Sequence, residues 1–161
     1  MSMIQAGDRM PRVTLHMLTD DGIKPVPTDE LFAGKTVVLF AVPGAFTPTC
    51  SARHLPGFVE HIDAFAAKGV DAVACVAVND PFVMAAWGAS AGADGKVLMI
   101  SDGNGALAEA TGTQMDASKA AMATRSQRYA MIVRDGTVEQ FFLDPAGQFE
   151  ASSAENVLAH L

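Results

Sequence analysis

The sequence predicts an α/β fold of one domain, in which a mixed central β-sheet is flanked by helices. Two continuous apolar runs, residues 36–42 and 70–78, have the length of strands that are buried on both faces. The amphipathic stretch between them completes a strand–helix–strand unit, which indicates a parallel pair with a right-handed crossover. Residues 134–136, Arg-Asp-Gly, separate two further apolar runs and indicate an antiparallel hairpin. A sheet that contains both kinds of pairing is mixed.

Composition and charge fit an ordered domain and exclude several kinds of partner. The chain has 161 residues, of which 50% are apolar and 18% charged, as is typical of one globular domain. The net charge is −7 without a dense basic cluster, so we expect neither nucleic acid nor an anionic membrane as a partner. The apolar runs are far shorter than a membrane span, and residues 1–10 contain no hydrophobic signal region. We therefore expect no membrane segment and no secretion by that route.

The elements before the first buried strand are short. Residues 13–17 alternate in hydrophobicity and are predicted to pair with residues 22–26 across an Asp-Asp-Gly turn. Residues 28–32 indicate a short capped helix that Gly34 ends. The chain then enters the buried strand at residues 36–42.

One long helix is predicted between the two buried strands. It begins at Pro48 and closes at Gly69, a residue suited to a helix C-terminus. Pro56 removes one internal hydrogen bond, so we expect a kink there.

The second half of the chain continues the alternation of strands and helices. A helix at residues 82–90 is predicted to carry one apolar face, made of Phe82, Val83, Ala86 and Trp87. The remaining predicted elements are a strand at 97–100, a short helix at 105–110, an irregular polar segment at 112–124, hairpin strands at 128–133 and 137–143, a turn at 144–147, and a final helix from Ser152 or Ser153 to Leu161.

Cys50 lies where the first buried strand passes through a Pro-Gly turn into the long helix. Thr47 suits the N-cap and Pro48 the first helical position, which puts Cys50 in the first turn. The unpaired N–H groups and the helix dipole there stabilise a thiolate, the reactive form of a thiol. Arg53 and His54 follow within one turn and can add positive charge. The alternative interpretation is a small buried hydrophobe, which a free cysteine often is.

The residues around Cys50 resemble a known family. The pattern P-x-x-x-T-x-x-C, formed by Pro43, Thr47 and Cys50, is similar to the active-site pattern of the peroxiredoxins. The longer run, residues 43–58, reads P-G-A-F-T-P-T-C-S-A-R-H-L-P-G-F and resembles the type-5 subfamily, called type II in plants. The resemblance implies a thioredoxin-like fold over residues 1–161. It also implies a thiol-dependent peroxidase that reduces hydrogen peroxide and alkyl hydroperoxides.

The resemblance also implies roles for individual residues. Cys50 is the expected peroxidatic nucleophile, which peroxide oxidises to a sulfenic acid. Thr47 is expected to orient the peroxide, and Pro43 to shield the sulfur without offering a donor. The backbone N–H groups of Thr49 and Cys50 are the expected anion donors.

One arginine is expected to hold the thiolate and polarise the O–O bond, because a guanidinium is always charged and has several donors. The residues alone leave Arg125, Arg128 and Arg134 open. In the family this arginine precedes the aromatic residue of an R-[FY]-x-M-[IV]-V strand, which corresponds to Arg128 here. Arg125 and Arg134 are then expected to lie in solvent without a role.

The source of reducing equivalents follows from the two cysteines. Many type-5 members carry a second, resolving cysteine after a [DE]-P-x-G turn, but residues 148–153 contain none, and Ser152 lies near the expected place. Cys75 lies inside a buried strand and is expected to be inert. The resemblance then implies an external reductant, either glutathione with glutaredoxin or, as the alternative, thioredoxin. No prosthetic cofactor is expected.

Further expectations concern location, metals and assembly. Two cysteines outside C-x-x-C spacing are too few for a disulfide scaffold and fit a reducing cytoplasm. The four histidines are scattered, so no metal site is expected. The resemblance implies a homodimer that uses Phe46 and residues 82–87.

Two other functions compete with an enzyme. A redox sensor would signal to a partner through oxidation of Cys50, and a structural protein would act as a holdase. A sensor needs the thiolate but not the peroxide-binding donors. The complete set of Pro43, Thr47, Cys50 and Arg128 therefore favours the enzyme.

Overall fold

Nine strands and six α-helices make up the structure, a computed structural model that describes residues 2–161. The strands are β1 (Thr14–Thr19), β2 (Gly22–Pro27), β3 (Thr36–Ala41), β4 (Ala72–Ala77), β5 (Leu98–Ser101), β6 (Gln114–Asp116), β7 (Thr124–Ser126), β8 (Arg128–Arg134) and β9 (Thr137–Asp144). The helices are α1 (Thr28–Phe32), α2 (Leu55–Glu60), α3 (Ile62–Ala67), α4 (Pro81–Ser90), α5 (Ala106–Thr111) and α6 (Ala154–Ala159). A π-helical turn covers Cys50–His54, and a 3-10 turn covers Ser118–Ala120.

Seven strands form one mixed sheet in the order β2-β1-β5-β4-β3-β8-β9, which confirms the predicted fold class. Strand β3 pairs parallel with β4 and antiparallel with β8. Every residue of β3 is buried, because helices or loops cover both faces of the sheet at its centre. One apolar cluster contains Phe40 and Phe58, and the other contains Leu39 and Tyr129.

Both predicted hairpins are present. Strands β1 and β2 pair over their full length, and β8 pairs with β9. The β8–β9 turn places Asp135 at φ 49° and Gly136 at φ 79°, so both central residues adopt the left-handed conformation of a type I′ turn. Asp-Gly is among the dipeptides that adopt this conformation most readily.

The long helix is more irregular than predicted, since it departs from α-helical geometry at more places than the one kink expected at Pro56. It begins at Pro48 as expected, widens into the π-helical turn before α2, and breaks again at His61. Pro56 has no N–H for the carbonyl of Ala52, four residues earlier, so the regular α-helical pattern cannot continue there. Within the turn, the N–H of Leu55 instead donates to the carbonyl of Cys50.

The predicted apolar face of α4 is wrong. The buried residues of this helix are Met84, Trp87 and Gly88, whereas Phe82 is 60% exposed. Residues at these three- and four-residue spacings share one side of a helix, and that side faces the sheet. Gly88 permits the close approach, because a Cβ atom there would lie 2.5 Å from Cγ of Met99.

Two further predictions need correction. The segment at residues 112–124 is not wholly irregular, since its β6 pairs with β7 as a small antiparallel sheet. The final helix α6 ends at Ala159 rather than at Leu161, and Ser153 caps it by accepting a hydrogen bond from the N–H of Asn156. Within residues 2–161, none of the helices has both the length and the apolar character that crossing a membrane requires.

Candidate active site

Cys50 is completely buried in the first turns of the helix that follows β3. Its Sγ lies 3.1 Å from Nη2 of Arg128, which begins β8, the antiparallel neighbour of β3. The fold therefore brings together two residues that are 78 positions apart in the chain. The guanidinium supplies both a positive charge and a hydrogen-bond donor to the sulfur.

The other two predicted arginines differ from each other. Arg134 lies at the far end of β8, where its exposed side chain pairs with Glu139, as expected of a residue in solvent. The expectation that Arg125 lies in solvent is wrong. Its Nε donates to the carbonyl of Met122 at 2.8 Å, and its Nη1 reaches the carbonyl of Pro43 at 3.4 Å. The unforeseen β6–β7 sheet carries this side chain over the loop that leads to Cys50.

Thr47 is the N-cap through its backbone rather than its side chain. Its carbonyl accepts a hydrogen bond from the N–H of Ser51 at 2.9 Å, the first bond of the helix. Its hydroxyl turns back and donates to the carbonyl of Gly44 at 2.6 Å. The hydroxyl proton is thus engaged by the chain, and the oxygen keeps lone pairs that can accept a proton donor.

Pro43, Thr49 and Arg128 line a cavity of about 320 Å³ beside the buried cysteine. Sequence reasoning missed the rest of the lining, because those residues come from β6, from the junction between β7 and β8, and from the end of β9 with the turn after it, which are far apart in the chain. They are Gln114, Met115, Gln127, Asp144, Pro145, Ala146, Gly147 and Gln148. The N–H groups of Thr49 and Cys50 belong to the first helical turn, where backbone donors lack intrahelical acceptors.

His54 does not add positive charge, contrary to the expectation. Its ring is completely buried, and burial followed by the charge of Arg128 lowers the pKa of His54 to about 3. It is therefore neutral at neutral pH. Its Nδ1 lies 2.8 Å from Nη1 of Arg128, and its Nε2 lies 3.0 Å from the carbonyl oxygen of Ser152. The histidine of the S-x-x-H-L-P-G-F run was the available signal for this contact.

Cys75 is buried on β4, as predicted, and both cysteines are free. Burial, with a smaller contribution from the charge of Cys50, raises the pKa of Cys75 well above its ordinary value. Its thiol therefore stays protonated at neutral pH. Across residues 2–161, no three His, Cys, Asp or Glu side chains gather as a metal site.

The loop before Thr47 contains an unusual residue. Phe46 has φ 63°, a left-handed conformation that is costly for a bulky residue, and its side chain is 56% exposed. Such strain is found most often at functional sites, where the surrounding structure holds it in place.

Three comparisons with known proteins cover nearly the whole chain. The family model for Redoxin matches residues 5–158. Peroxiredoxin-2E-2, chloroplastic, from Oryza sativa subsp. japonica is 51% identical over an alignment of 163 residues, which covers 98% of this chain and 72% of that protein. Peroxiredoxin-2B from Arabidopsis thaliana is 39% identical over an alignment of 162 residues, which covers both chains completely.

A solved structure has nearly the same backbone. Reduced Prx3 in complex with H₂O₂ from Vibrio vulnificus has a TM-score of 0.95 and 49% sequence identity to this chain. The match covers 98% of this chain and 99% of that one. With the family model and the curated relatives, it shows that the chain belongs to the peroxiredoxins, of the Redoxin family, and is a thiol-dependent peroxidase.

Proposed function

We propose that Cys50 is the peroxidatic nucleophile for hydrogen peroxide and alkyl hydroperoxides. The observation that carries this proposal is the contact of 3.1 Å between Nη2 of Arg128 and Sγ of Cys50. The thiolate attacks one peroxide oxygen, the O–O bond breaks, and the other oxygen leaves as hydroxide or alkoxide, which takes up a proton. Cys50 is oxidised to the sulfenic acid, and the peroxide is reduced to water or an alcohol.

The surrounding groups suit the charge that develops on the leaving oxygen. Arg128 and the N–H groups of Thr49 and Cys50 are the donors that stabilise it. Thr47 orients the peroxide by accepting its O–H, since the Thr47 hydroxyl proton is donated to the chain. Pro43 lines the entrance and adds no competing donor.

Alkyl hydroperoxides are included because of the cavity. Its volume of about 320 Å³ far exceeds the space that hydrogen peroxide needs. Met115, Pro145 and Ala146 give part of its wall an apolar surface that can receive an alkyl chain. The reaction needs no prosthetic cofactor.

An external thiol, glutathione with glutaredoxin, is the proposed reductant, with thioredoxin as the alternative. Two observations support an external source. Cys75 is buried and protonated, and Ser152 occupies the region where a resolving cysteine would be expected. We further propose that residues 1–161 act as one peroxiredoxin domain in the cytoplasm, where a reducing environment keeps both thiols free.

The test is peroxide-dependent oxidation of NADPH, measured separately with the glutaredoxin–glutathione and the thioredoxin systems. We expect turnover with the first system, its complete loss in Cys50→Ser, and most of it retained in the control Cys75→Ser. A Cys75→Ser protein that folds normally but has lost turnover would contradict the assignment of the two cysteines. Turnover only with thioredoxin would replace the proposed reductant by the alternative.

A further inference from the structure

A chain of hydrogen bonds runs from the end of β9 towards the active site. The Asp144 carboxylate accepts the hydroxyl of Ser152 at 2.6 Å and the N–H of Ser152 at 2.9 Å. It also accepts the N–H groups of Ala151 at 3.0 Å and Glu150 at 3.1 Å. Asp144 is only 3% exposed, and Ser152 is completely buried. Charge-assisted bonds of this number fix the loop before α6, and with it the carbonyl of Ser152.

That carbonyl determines which nitrogen of His54 carries the proton. A carbonyl can only accept, so Nε2 of His54, at 3.0 Å, must donate to Ser152. A guanidinium can only donate, so Nδ1 of His54, at 2.8 Å from Arg128, must be unprotonated. Both contacts require the same neutral tautomer. The low pKa of His54 agrees with this requirement.

The ring of His54 is also held by its apolar neighbours. Its centroid lies 4.9 Å from that of Phe40, 5.7 Å from Phe58 and 5.0 Å from Phe149. Arg128 uses Nη1 for His54 and Nη2 for Sγ of Cys50. Because a guanidinium is planar and rigid, a fixed Nη1 determines where Nη2 points.

We propose that His54 and Asp144 are positioning residues for peroxide reduction. Asp144 fixes Ser152, Ser152 fixes the tautomer and orientation of His54, and His54 holds Arg128 against the sulfur of Cys50. Asp144 and Ser152 thereby influence the reaction through Arg128, in addition to the wall that Pro145 and Ala146 give the cavity. This proposal rests on the roles proposed above for Cys50 and Arg128.

Two substitutions of His54 separate positioning from packing. His54→Asn keeps a side-chain oxygen near the place of Nδ1 and so an acceptor for Arg128, whereas His54→Phe keeps an aromatic ring and removes the acceptor. Two rates are measured for Cys50: oxidation by hydrogen peroxide, and alkylation by iodoacetamide, which needs a thiolate but no oriented peroxide. Since misplaced catalytic groups cost about 10²-fold, we expect His54→Phe to lower the oxidation rate by about that factor more than the alkylation rate. His54→Asn should recover most of the loss.

Asp144→Asn changes the residue at the start of this chain of hydrogen bonds and leaves the ring of His54 unchanged. Its NH₂ group replaces one of the two acceptor oxygens by a donor that faces the loop N–H groups, so the anchor of the loop is weakened. We expect oxidation by peroxide to slow while alkylation is nearly unchanged. In the unsubstituted protein, the ¹⁵N chemical shifts of His54 should show the Nε2–H tautomer, a measurement that depends on no variant.

Several outcomes would overturn the proposal that His54 and Asp144 position Arg128. One is a folded His54→Phe protein that reacts with peroxide at the unsubstituted rate, and another is an Nδ1–H tautomer. An equal loss of both rates in His54→Phe and His54→Asn would mean that the ring has only a packing role. None of these results affects Cys50, whereas peroxidase turnover by Cys50→Ser would refute the proposed function itself.

Discussion

The direction of the Thr47 hydroxyl decides which role this group can take in the proposed reaction. It donates to the carbonyl of Gly44, so its lone pairs remain for a proton donor such as peroxide. Thr47→Val keeps the volume and removes the oxygen. Losing one oriented polar group commonly costs about 10²-fold, and we expect that loss in the rate of Cys50 oxidation. Thr47→Ser, the matched control, should stay close to the unsubstituted rate, and an active Thr47→Val would contradict the role.

His54 also predicts how stability depends on pH. Its pKa in the folded protein is about 3, below the value of about 6.5 expected when unfolded, so protons bind preferentially to the unfolded chain. Stability should be full above pH of about 6.5 and fall towards pH 3, by at most about 1.4 kcal/mol for each pH unit. The titration of Asp144 affects stability over a lower pH range. Desolvation raises the pKa of Asp144, but the hydrogen bonds from Ser152, Ala151 and Glu150 together lower it by more, so its contribution is lost only below about pH 4.

Urea unfolding measured from about pH 4.5 to about pH 7.5, a range above the titration of Asp144, checks this prediction. The difference in stability between the unsubstituted protein and His54→Asn should shrink as the pH falls. A difference that does not change with pH would show that His54 binds protons equally in the folded and unfolded states.

Only some of the site residues and their charge states could be predicted from the sequence. Cys50, Thr47 and Pro43 lie in one continuous run, so their proximity required no knowledge of the fold. Arg128 could be selected only through the family resemblance, because three arginines lie close together in the sequence. The neutral state of His54 could not be foreseen, since it depends on burial and on a carbonyl 98 residues away.

At the scale of elements, the β6–β7 sheet has a consequence for the loop before Cys50. Arg125, on β7, joins the carbonyls of Met122 and Pro43 and lies against Gly44, where a Cβ atom would be 3.1 Å from its Nη1. A lysine has no planar fork and cannot hold both carbonyls in this way.

We therefore expect Arg125→Lys to slow oxidation by peroxide, by up to about 10²-fold if the loop shifts by about 1 Å. Arg134→Lys is the control, because Arg134 is exposed at the opposite end of β8. Both variants are compared by stopped-flow kinetics at equal Cys50 thiol content. If the two variants are oxidised by peroxide at the same rate, the contact of Arg125 with Pro43 does not contribute to the reaction.

The elements that were predicted well are those whose own residues decide their structure. Strands β3 and β4 are continuous apolar runs, and the β8–β9 hairpin is specified by its Asp-Gly turn. The three-residue strands β6 and β7 have no such local pattern, because the pairing between them defines them. The face of α4 was wrong because residues 82–87 are all apolar, so their spacing could not select a side; the packing of Met99 against Gly88 shows which side is buried.

For the whole molecule, two exposed aromatic residues are consistent with the homodimer that the family resemblance implies. Phe46 is 56% and Phe82 60% exposed, whereas Trp87 is buried and cannot take part. Sedimentation velocity at micromolar concentration should show a dimer, and Phe46→Arg should shift it to monomer. Ile23→Arg is the control, because Ile23 is a similarly exposed apolar residue on the edge strand β2. A strict monomer before substitution would contradict the proposal.

The placement of the two cysteines predicts the fate of the sulfenic acid. Cys75 is buried and protonated, so we expect no internal disulfide. Intact mass after one equivalent of peroxide should show a gain of one oxygen, and a glutathione adduct on Cys50 when glutathione is present. Excess peroxide should give further oxygens, as no internal thiol competes. A loss of two hydrogens that maps to a link between Cys50 and Cys75 within one monomer would refute the external-thiol route.

Trp87 is the only tryptophan in the chain and is 1% exposed. Its indole Nε1–H donates to the hydroxyl of Ser51 at 2.9 Å, and Ser51 is the residue that follows Cys50. Any rearrangement of that helical turn on oxidation must change the polarity around the indole. The molecule therefore carries an intrinsic fluorophore that is hydrogen-bonded to the neighbour of Cys50, the proposed nucleophile, and its emission should follow oxidation and reduction in real time without an attached dye.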